Sequence, residues 1–454
     1  MPGIPMDILQ EVFEQSWTSP LRAHLPSEFP WYLGHVCSEW RALFFSMRST
    51  FWNSIEIEWH DEFDICLKQQ DADNVTEIVH FFLDCTGGVP FSFQLCTTGC
   101  HPENETHYNS HPTLVALINC SEQWQNVYIQ LYTTELVFLC ATKGHLPQLK
   151  KLEIVVEQDR ELEHQYASRT VPRMVTDIFE DAPVLKEVVL DDFSMWQFKF
   201  SWSSLTALGF GFHESGMETL AVLRETINLV ELTIERPTVT VLEGELAIER
   251  SSSRAFIETL IETSESIHLP HLERLSIDDV ALLAVLDTPS LQRLKIDFHH
   301  GDSGVATFLR RCGIKLSTLV LYGGRTGIVA SLKEILLSAP ELDQLVLCNI
   351  RDITDLFKWM AGTETPEVRF NSLQLHALYS YWPRDGGGAL HDLIARRNPP
   401  NNERSLSPKE VFIDIDIDES EVANLKSLCR DRGIRFGLVE EMPIIPWGTD
   451  WPWY

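Results

Sequence analysis

A short apolar pattern, Leu-x-x-Leu-x-Leu with Ile, Val or Phe as substitutes, recurs along most of this 454-residue chain. Its eight clear copies begin at Leu149, Leu185, Leu205, Leu229, Leu272, Leu291, Leu316 and Leu342. Positions i+3 and i+5 share one face of a β-strand, whereas they lie far apart around a helix. The pattern therefore predicts a series of short strands, each with its apolar side chains on one face.

The spacing of these copies predicts a repeat array. Five of the seven intervals between consecutive first leucines are 19 to 26 residues, close to the ~20–29 residue period of leucine-rich repeats. Weaker copies begin at Trp52, Trp124, Phe370 and Pro408, and helical patterns lie between copies at 217–226, 255–263, 304–311, 328–337, 354–360, 389–396 and 421–430. Strands that alternate with helices at this period predict an α/β solenoid, with a curved parallel sheet and helices on its convex side.

The first sixty residues carry a different pattern. Ile8, Leu9, Val12 and Phe13 fall at helical spacing, and residues 31–45 hold a second apolar helical stripe. Some fifty residues cannot bury much apolar surface by themselves. Such a unit therefore needs a partner, which is either the rest of the chain or another protein.

These N-terminal residues also follow a known motif in order. The matching positions are Ile4-Pro5, Ile8-Leu9, Val12-Phe13, Leu33, Val36-Cys37, Trp40-Arg41 and Phe51-Trp52. Over residues 3–57 the set resembles an F-box, in particular that of the large fungal F-box families. The resemblance implies a three-helix domain that binds the Skp adaptor of a cullin-RING (SCF) ubiquitin ligase. The adaptor-binding residues it implies are Ile4, Pro5, Ile8, Leu9, Val12, Phe13, Leu33, Val36, Cys37, Trp40 and Trp52.

Together the two patterns predict three regions: an F-box domain at 1–57, a leucine-rich-repeat solenoid at 58–440, and a Trp/Pro-rich tail at 441–454. The resemblance implies a non-catalytic substrate-recognition subunit whose repeat array holds a protein target for ubiquitination. An interaction scaffold that never meets the adaptor is the alternative. The tail is expected to cap the last repeat, with contact to a substrate as the other reading.

The residue after the last apolar position of each copy forms a column at the strand ends. Down the eight copies it reads Val155, Asp191, Gly211, Glu235, Asp278, Asp297, Tyr322 and Cys348. Four of these are acidic, and an acidic stripe favours a basic substrate segment. We therefore predict a substrate-binding set of Asp191, Glu235, Asp278, Asp297 and Tyr322. Turn capping by aspartate is the competing explanation of the same column.

Composition excludes several classes of function. The charge balance is 36 − 66 = −30, which repels nucleic-acid phosphates and anionic membrane surfaces. The sequence has no apolar run near the ~20 residues of a membrane span and no signal-peptide pattern at its start. Its ten cysteines form no dense framework, which indicates reduced thiols in a cytoplasmic or nuclear protein.

Three short motifs are candidates for catalytic or metal sites. Cys96, Cys100, His107 and His111 are zinc-type ligands, but the six-residue central gap is shorter than the ~12–15 residues of common sites. Ser303 stands in a Gly-Asp-Ser-Gly sequence, where serine is also an ordinary helix N-cap. The Asp-x-Asp-x-Asp run at 414–418 lacks the glycine and glutamate of a calcium loop. We therefore expect no catalytic residue, metal or cofactor, and keep an enzyme or zinc protein as a lesser alternative.

Overall fold

A computed structural model describes residues 5–16, 20–23, 25, 27, 29–58, 69–96, 112–132, 135–157, 177–191, 198–211, 216–235, 266–278, 280–297, 304–313, 315–322, 329–348, 350, 353–362, 369–376, 386–397, 408–414 and 419–438. The chain divides into two compact units, Met1–Glu214 and Ser215–Tyr454. The region predicted as an F-box lies inside the first unit, and the predicted solenoid is shared between both. The tail at 441–454 and the helix predicted at 255–263 lie outside the described residues.

The α-helices that the structure describes in the first unit lie within residues 6–118. They are α1 (Met6–Ser16), α2 (Tyr32–His35), α3 (Ser38–Ser46), α4 (Arg48–Phe51), α5 (Gln69–Thr86) and α6 (Pro112–Ile118), with 3₁₀ turns at Ser121–Gln123, Glu135–Thr142 and Trp202–Ser204. The helical stripe predicted over 31–45 is divided into α2 and α3, because Cys37 adopts an extended backbone with φ −160° and ψ 175°.

The strands of the first unit run parallel and follow one another in chain order. They are β1 (Leu21–Arg22), β2 (Ser54–Glu58), β3 (Phe91–Cys96), β4 (Trp124–Tyr132), β5 (Lys151–Glu157), β6 (Glu187–Asp191) and β7 (Ala207–Gly211). The short strand β1 comes from the loop after α1 and pairs with β2, so the N-terminal helices and the sheet share one unit.

The second unit repeats the same plan with helices of 8 to 13 residues. Its strands are β8 (Glu231–Glu235), β9 (Ile267–His268), β10 (Arg274–Ile277), β11 (Leu286–Asp287), β12 (Arg293–Asp297), β13 (Thr318–Tyr322), β14 (Glu341–Cys348), β15 (Arg369–His376), β16 (Glu410–Asp414) and β17 (Arg435–Leu438). Strands β9 and β11 form a separate pair, and the others form a parallel series in chain order. Its helices are α7 (Gly216–Glu225), α8 (Gly304–Cys312), α9 (Val329–Ser338), α10 (Ile353–Met360), α11 (Gly386–Arg397) and α12 (Glu419–Asp431), with a 3₁₀ turn at Val280–Ala284.

The leucine pattern produces the core of the second unit. Strand register aligns one buried residue from each strand of the parallel series from β8 to β16: Leu232, Leu275, Leu294, Leu319, Leu345, Leu373 and Val411. The residues two positions later, from Ile234 to Ile413, form a second buried row. The predicted α/β class with parallel strands is confirmed, and the arrangement is consistent with a repeat solenoid.

The structure also contains elements that the pattern did not predict, among them β1, β3, β9, β11, β17, α5 and α6. No helix in the described part of the chain is long and apolar enough to span a membrane.

Candidate functional site

The N-terminal helices are built around a cluster of aromatic side chains. Phe13, Phe29, Phe44, Phe51 and Trp52 are all buried, and we call these five residues the aromatic core. Its ring centroids are 4.7 Å apart for Phe44 and Phe51, 5.2 Å for Phe29 and Trp52, and 6.2 Å for Phe13 and Phe51. Such edge-to-face and tilted pairs add ~0.5–1.5 kcal/mol each beyond the area they bury.

Helix α1 presents two adjacent rows of apolar side chains. Leu9 and Phe13 form one row and are buried, and Phe13 lies 5.1 Å from the ring of Trp40 on α3. Ile8 and Val12 form the other row, about 100° around the helix. Their exposed fractions are 47% and 51%, so this row is left open to solvent.

A second exposed pair lies at α2. Tyr32 and Val36 are four residues apart and are 63% and 57% exposed, while Leu33 and Gly34 between them are buried. The Arg41 side chain of α3 donates a hydrogen bond from Nε to the Gly34 carbonyl at 2.8 Å. This contact holds α2 against α3, so that the exposed pair stands on a fixed support.

The connection between the helices and the sheet is made by polar contacts as well. Arg22 on β1 donates from Nε to Oε2 of Glu56 on β2 at 3.1 Å, and the backbone N–H of Ala23 donates to the Glu56 carbonyl at 2.8 Å. Burial raises the pKa of Glu56, and its neighbour Glu58 raises it further, while Arg22 acts in the opposite direction. The pair stabilises the place where the helical segment joins the sheet.

The structure separates the predicted adaptor-binding residues into groups by exposure. Pro5, Ile8, Val12, Val36 and Cys37 are exposed, and Trp40 is half-buried. Four others, Leu9, Phe13, Leu33 and Trp52, are buried within this chain, so they act as supports for the helices and reach no partner without rearrangement. Ile4 lies outside the described residues.

Four exposed apolar residues of this region were not predicted: Met6, Leu25, Tyr32 and Phe45. Met6 is adjacent to Pro5 and Tyr32 is adjacent to Leu33, so both stand beside motif positions rather than on them. The apolar stripe of a helical wheel could have included them, but the motif did not.

The predicted substrate column is divided between the two units. In the first unit Asp191 is the register partner of Val155. In the second unit the backbone N–H of Asp278 donates to the Ile234 carbonyl beside Glu235, and Asp297 is the register partner of Tyr322. The column therefore has one acidic residue, Asp191, in the first unit and three, Glu235, Asp278 and Asp297, in the second.

Beyond β12 the strand-end column changes character. Cys348 is buried together with Val320 and Val346, and Tyr322 packs against this cluster on the face opposite the leucines. The column is thus acidic at β10 and β12 and apolar at β13 and β14.

Most of the candidate catalytic and metal ligands lie outside the described residues. Cys96 is half-buried at the end of β3, whereas Cys100, His107, His111 and Ser303 lie outside the described residues. Among the residues that the structure describes, no group of three or more His, Cys, Asp or Glu side chains could hold a metal ion. Burial raises the pKa of the Cys85 thiol to about 11, with a contribution from Asp84, and raises that of Cys429 to about 11.

These pKa shifts predict the order in which thiols react. With iodoacetamide at about pH 8, we expect the exposed Cys37 to be alkylated in the native protein, because the thiolate is the reactive form and the side chain is accessible. Cys85 and Cys429 should remain unmodified until denaturant is added. Peptide mass spectrometry of native and denatured samples measures this directly. Rapid native labelling of Cys85 would point to an activated thiol instead.

Comparison of the chain with protein-family models gives no match, and neither does comparison with curated proteins. The functional assignment therefore depends on the arrangement of the residues themselves.

Proposed function

We propose that this chain is the substrate-recognition subunit of an SCF ubiquitin ligase. Its N-terminal helices would act as an F-box that binds a Skp adaptor, and its remaining strands and helices as a leucine-rich-repeat solenoid that binds a protein target. The exposed apolar row on α1, directly beside a buried one, is the observation that carries the proposal.

The energetics of that row favour a partner. Ile8 and Val12 are each about half exposed although the aromatic core lies one helical row away. Complete burial of such side chains is worth ~1.5–3 kcal/mol each. Tyr32 and Val36 provide a second exposed pair on a supported helix. Apolar side chains at i and i+4 on a rigid helix are the anchors used when helices pack against a partner's groove.

The architecture of the repeat region suits a protein-binding surface better than an enzyme active site. Each strand buries one face through the leucine rows, so the alternate side chains occupy the opposite face of the sheet. That face carries charged and polar side chains on β10 and β12, and the apolar cluster of Val320, Val346 and Cys348 with Tyr322 on β13 and β14. A sheet of this kind offers a long, chemically varied surface for a protein segment.

The proposed mechanism is proximity. An adaptor on one unit and a target on the repeat surface would hold a target lysine near the ubiquitin-charged enzyme of the cullin-RING ligase. Raising the effective concentration of reacting groups accelerates the reaction without any catalytic residue in this chain.

The first test concerns the adaptor interface. We expect Ile8→Asp and Val12→Asp each to weaken adaptor binding by about 2–4 kcal/mol, because each places a charge in an apolar contact. The measurement is isothermal titration or co-purification with a Skp adaptor. Both positions are solvent-exposed, so the free energy of unfolding should change little.

A matched control is available in the second unit. Ile227 is 52% exposed, the same as Val12 within a few percent, and lies outside the N-terminal helices. Ile227→Asp should leave adaptor binding unchanged. Full adaptor binding by the Ile8→Asp, Val12→Asp double variant would rule out the proposed interface.

One observation favours the scaffold alternative. Trp31 and Trp52 lie 5.8 Å from Phe81 of α5, so the N-terminal helices also pack against the rest of the first unit. Such packing is what a cap on a repeat array requires. If the chain fails to bind any Skp adaptor while remaining folded, the cap is the better description of these helices.

A further inference from the structure

The arginines on strands follow a rule of pairing. Arg22 lies beside Glu56, Arg274 beside Glu231 and Arg435 beside Glu410, each as register partners on adjoining strands. The corresponding N–O distances are 3.1, 2.6 and 3.5 Å. Arg369 also has a glutamate, Glu341, as its register partner. Opposite charges placed directly across strands stabilise a sheet and neutralise its cations.

Arg293 on β12 departs from this rule. Its register partners are Arg274 and Thr318, and Arg274 already binds Glu231 through both Nε and Nη2. Arg293 is half-buried as a residue, and within the described part of the chain its guanidinium has no hydrogen-bond or ion-pair partner. The chain has 66 acidic and only 36 basic residues, so carboxylates are plentiful in this protein and yet none is paired with Arg293 among the described residues.

A second cation lies on the same strand and the same face. Lys295 is two residues after Arg293, a separation of about 7 Å along a strand. Its Nζ lies 5.3 Å from the centroid of the Tyr322 ring on β13. Leu294 and Ile296, which alternate with the two cations, are buried in the leucine rows. Both cations therefore stand on the face that the leucines leave free.

We propose that Arg293 and Lys295 bind an oxyanion carried by a side chain of the bound protein segment. This deepens the proposed function, because it rests on that face being the substrate surface. A guanidinium without an ion pair inside the sheet gains a charge-assisted hydrogen bond when a carboxylate or phosphate binds. The Tyr322 ring holds the lysine beside it.

The assignment changes the expected substrate class. Along the chain, acidic residues follow the cations at the strand ends: Asp278 comes directly after β10, and Asp297 is the last residue of β12. A matching segment carries an acidic group as well as a basic one. The expectation of a simply basic substrate is therefore replaced by one of a segment with both charges.

The test uses the full chain and four peptide libraries. Fluorescent degenerate 12-residue peptides carry a fixed central Asp, phosphoserine, Ala or Lys, and binding is followed by fluorescence anisotropy at low salt. We expect the Asp or the phosphoserine library to bind about tenfold more tightly than the Ala library. Arg293→Ala should abolish this preference, and Arg293→Glu should shift it toward the Lys library.

Controls and outcomes are defined within the same sheet. Arg435→Ala removes an exposed strand arginine that Glu410 already neutralises, and it should keep the preference of the unmodified chain. A stronger signal with phosphoserine than with Asp identifies a phosphorylated side chain as the source, and the reverse identifies a carboxylate. Equal binding of all four libraries, or a preference that survives Arg293→Glu in a folded protein, overturns the proposal. The assay contains no adaptor, so failure of the ligase assignment would not affect it.

Discussion

Replacement of Phe44 by alanine is expected to lower the free energy of unfolding by about 3–5 kcal/mol, the cost of removing a large aromatic side chain from a packed core. Phe44 is completely buried, and its ring lies 4.7 Å from Phe51, 5.4 Å from Trp52 and 5.9 Å from Phe29. The cavity would open at the centre of the aromatic core. Urea unfolding followed by tryptophan fluorescence measures the loss, since Trp31 and Trp52 are neighbours of the ring.

The matched variant is Val12→Ala on the exposed row of α1. A half-exposed valine should cost no more than about 0.5 kcal/mol of stability. For adaptor binding the two variants are expected to act by different routes: Val12→Ala removes contact area, whereas Phe44→Ala loosens the support. Equal stability losses for the two variants would mean that the aromatic core does not hold these helices together.

This distinction decides which residues can probe the proposed interface. Phe13 matches the F-box motif, but its side chain is buried and contacts Trp40 and Phe51. Phe13→Asp would therefore abolish adaptor binding simply by unfolding the segment. Ile8 and Val12 are the informative positions, because their side chains are exposed.

The N-terminal motif predicted the helices but not their orientation. Ile8, Leu9, Val12 and Phe13 form two adjacent rows, and sequence periodicity treats both as one apolar stripe. Which of the two rows is buried depends on the positions of Phe44 and Trp52 in the tertiary structure. The sequence pattern also could not predict that residues 31–45 form two helices divided at Cys37, because the helical spacing of apolar residues continues across that position.

The leucine pattern predicted the strands well wherever consecutive copies kept their apolar positions. Strand β3 was missed because its residues, Phe-Ser-Phe-Gln-Leu-Cys, alternate without the leading leucine of the pattern. Strand β1 has only two residues and forms by pairing Leu21 with Ile55. A strand of two residues depends on pairing with its neighbouring strand and is too short to show an alternation of apolar and polar residues in the sequence.

The Arg293 site shows what alignment of the repeats could have added. Arg274 and Arg293 both stand directly before the second leucine of their copies, so superposed copies place them side by side. Glu231 occupies the same position one copy earlier, which already indicates the pairing with Arg274. The sequence alone does not show that Arg274 and Glu231 form an ion pair, or that Arg293 is then without a carboxylate partner among the described residues.

Replacement of Leu345 by alanine should lower the stability of the second unit by about 2–5 kcal/mol. Leu345 is fully buried and stands in register with Leu319 on one side and Leu373 on the other. In a repeat array each copy is stabilised only by its neighbours, so the damage should spread locally. Hydrogen exchange should therefore accelerate most in β13 to β15 and least in β8.

The control for this prediction lies on the same strand. Gln344 precedes Leu345, is only half-buried and points to the opposite face, so Gln344→Ala should cost less than about 0.5 kcal/mol. A uniform loss of protection from β8 to β17 after Leu345→Ala would describe a single cooperative core. A gradient centred on β14 is what stacked repeats require, because coupling between strands then decays with each interface crossed.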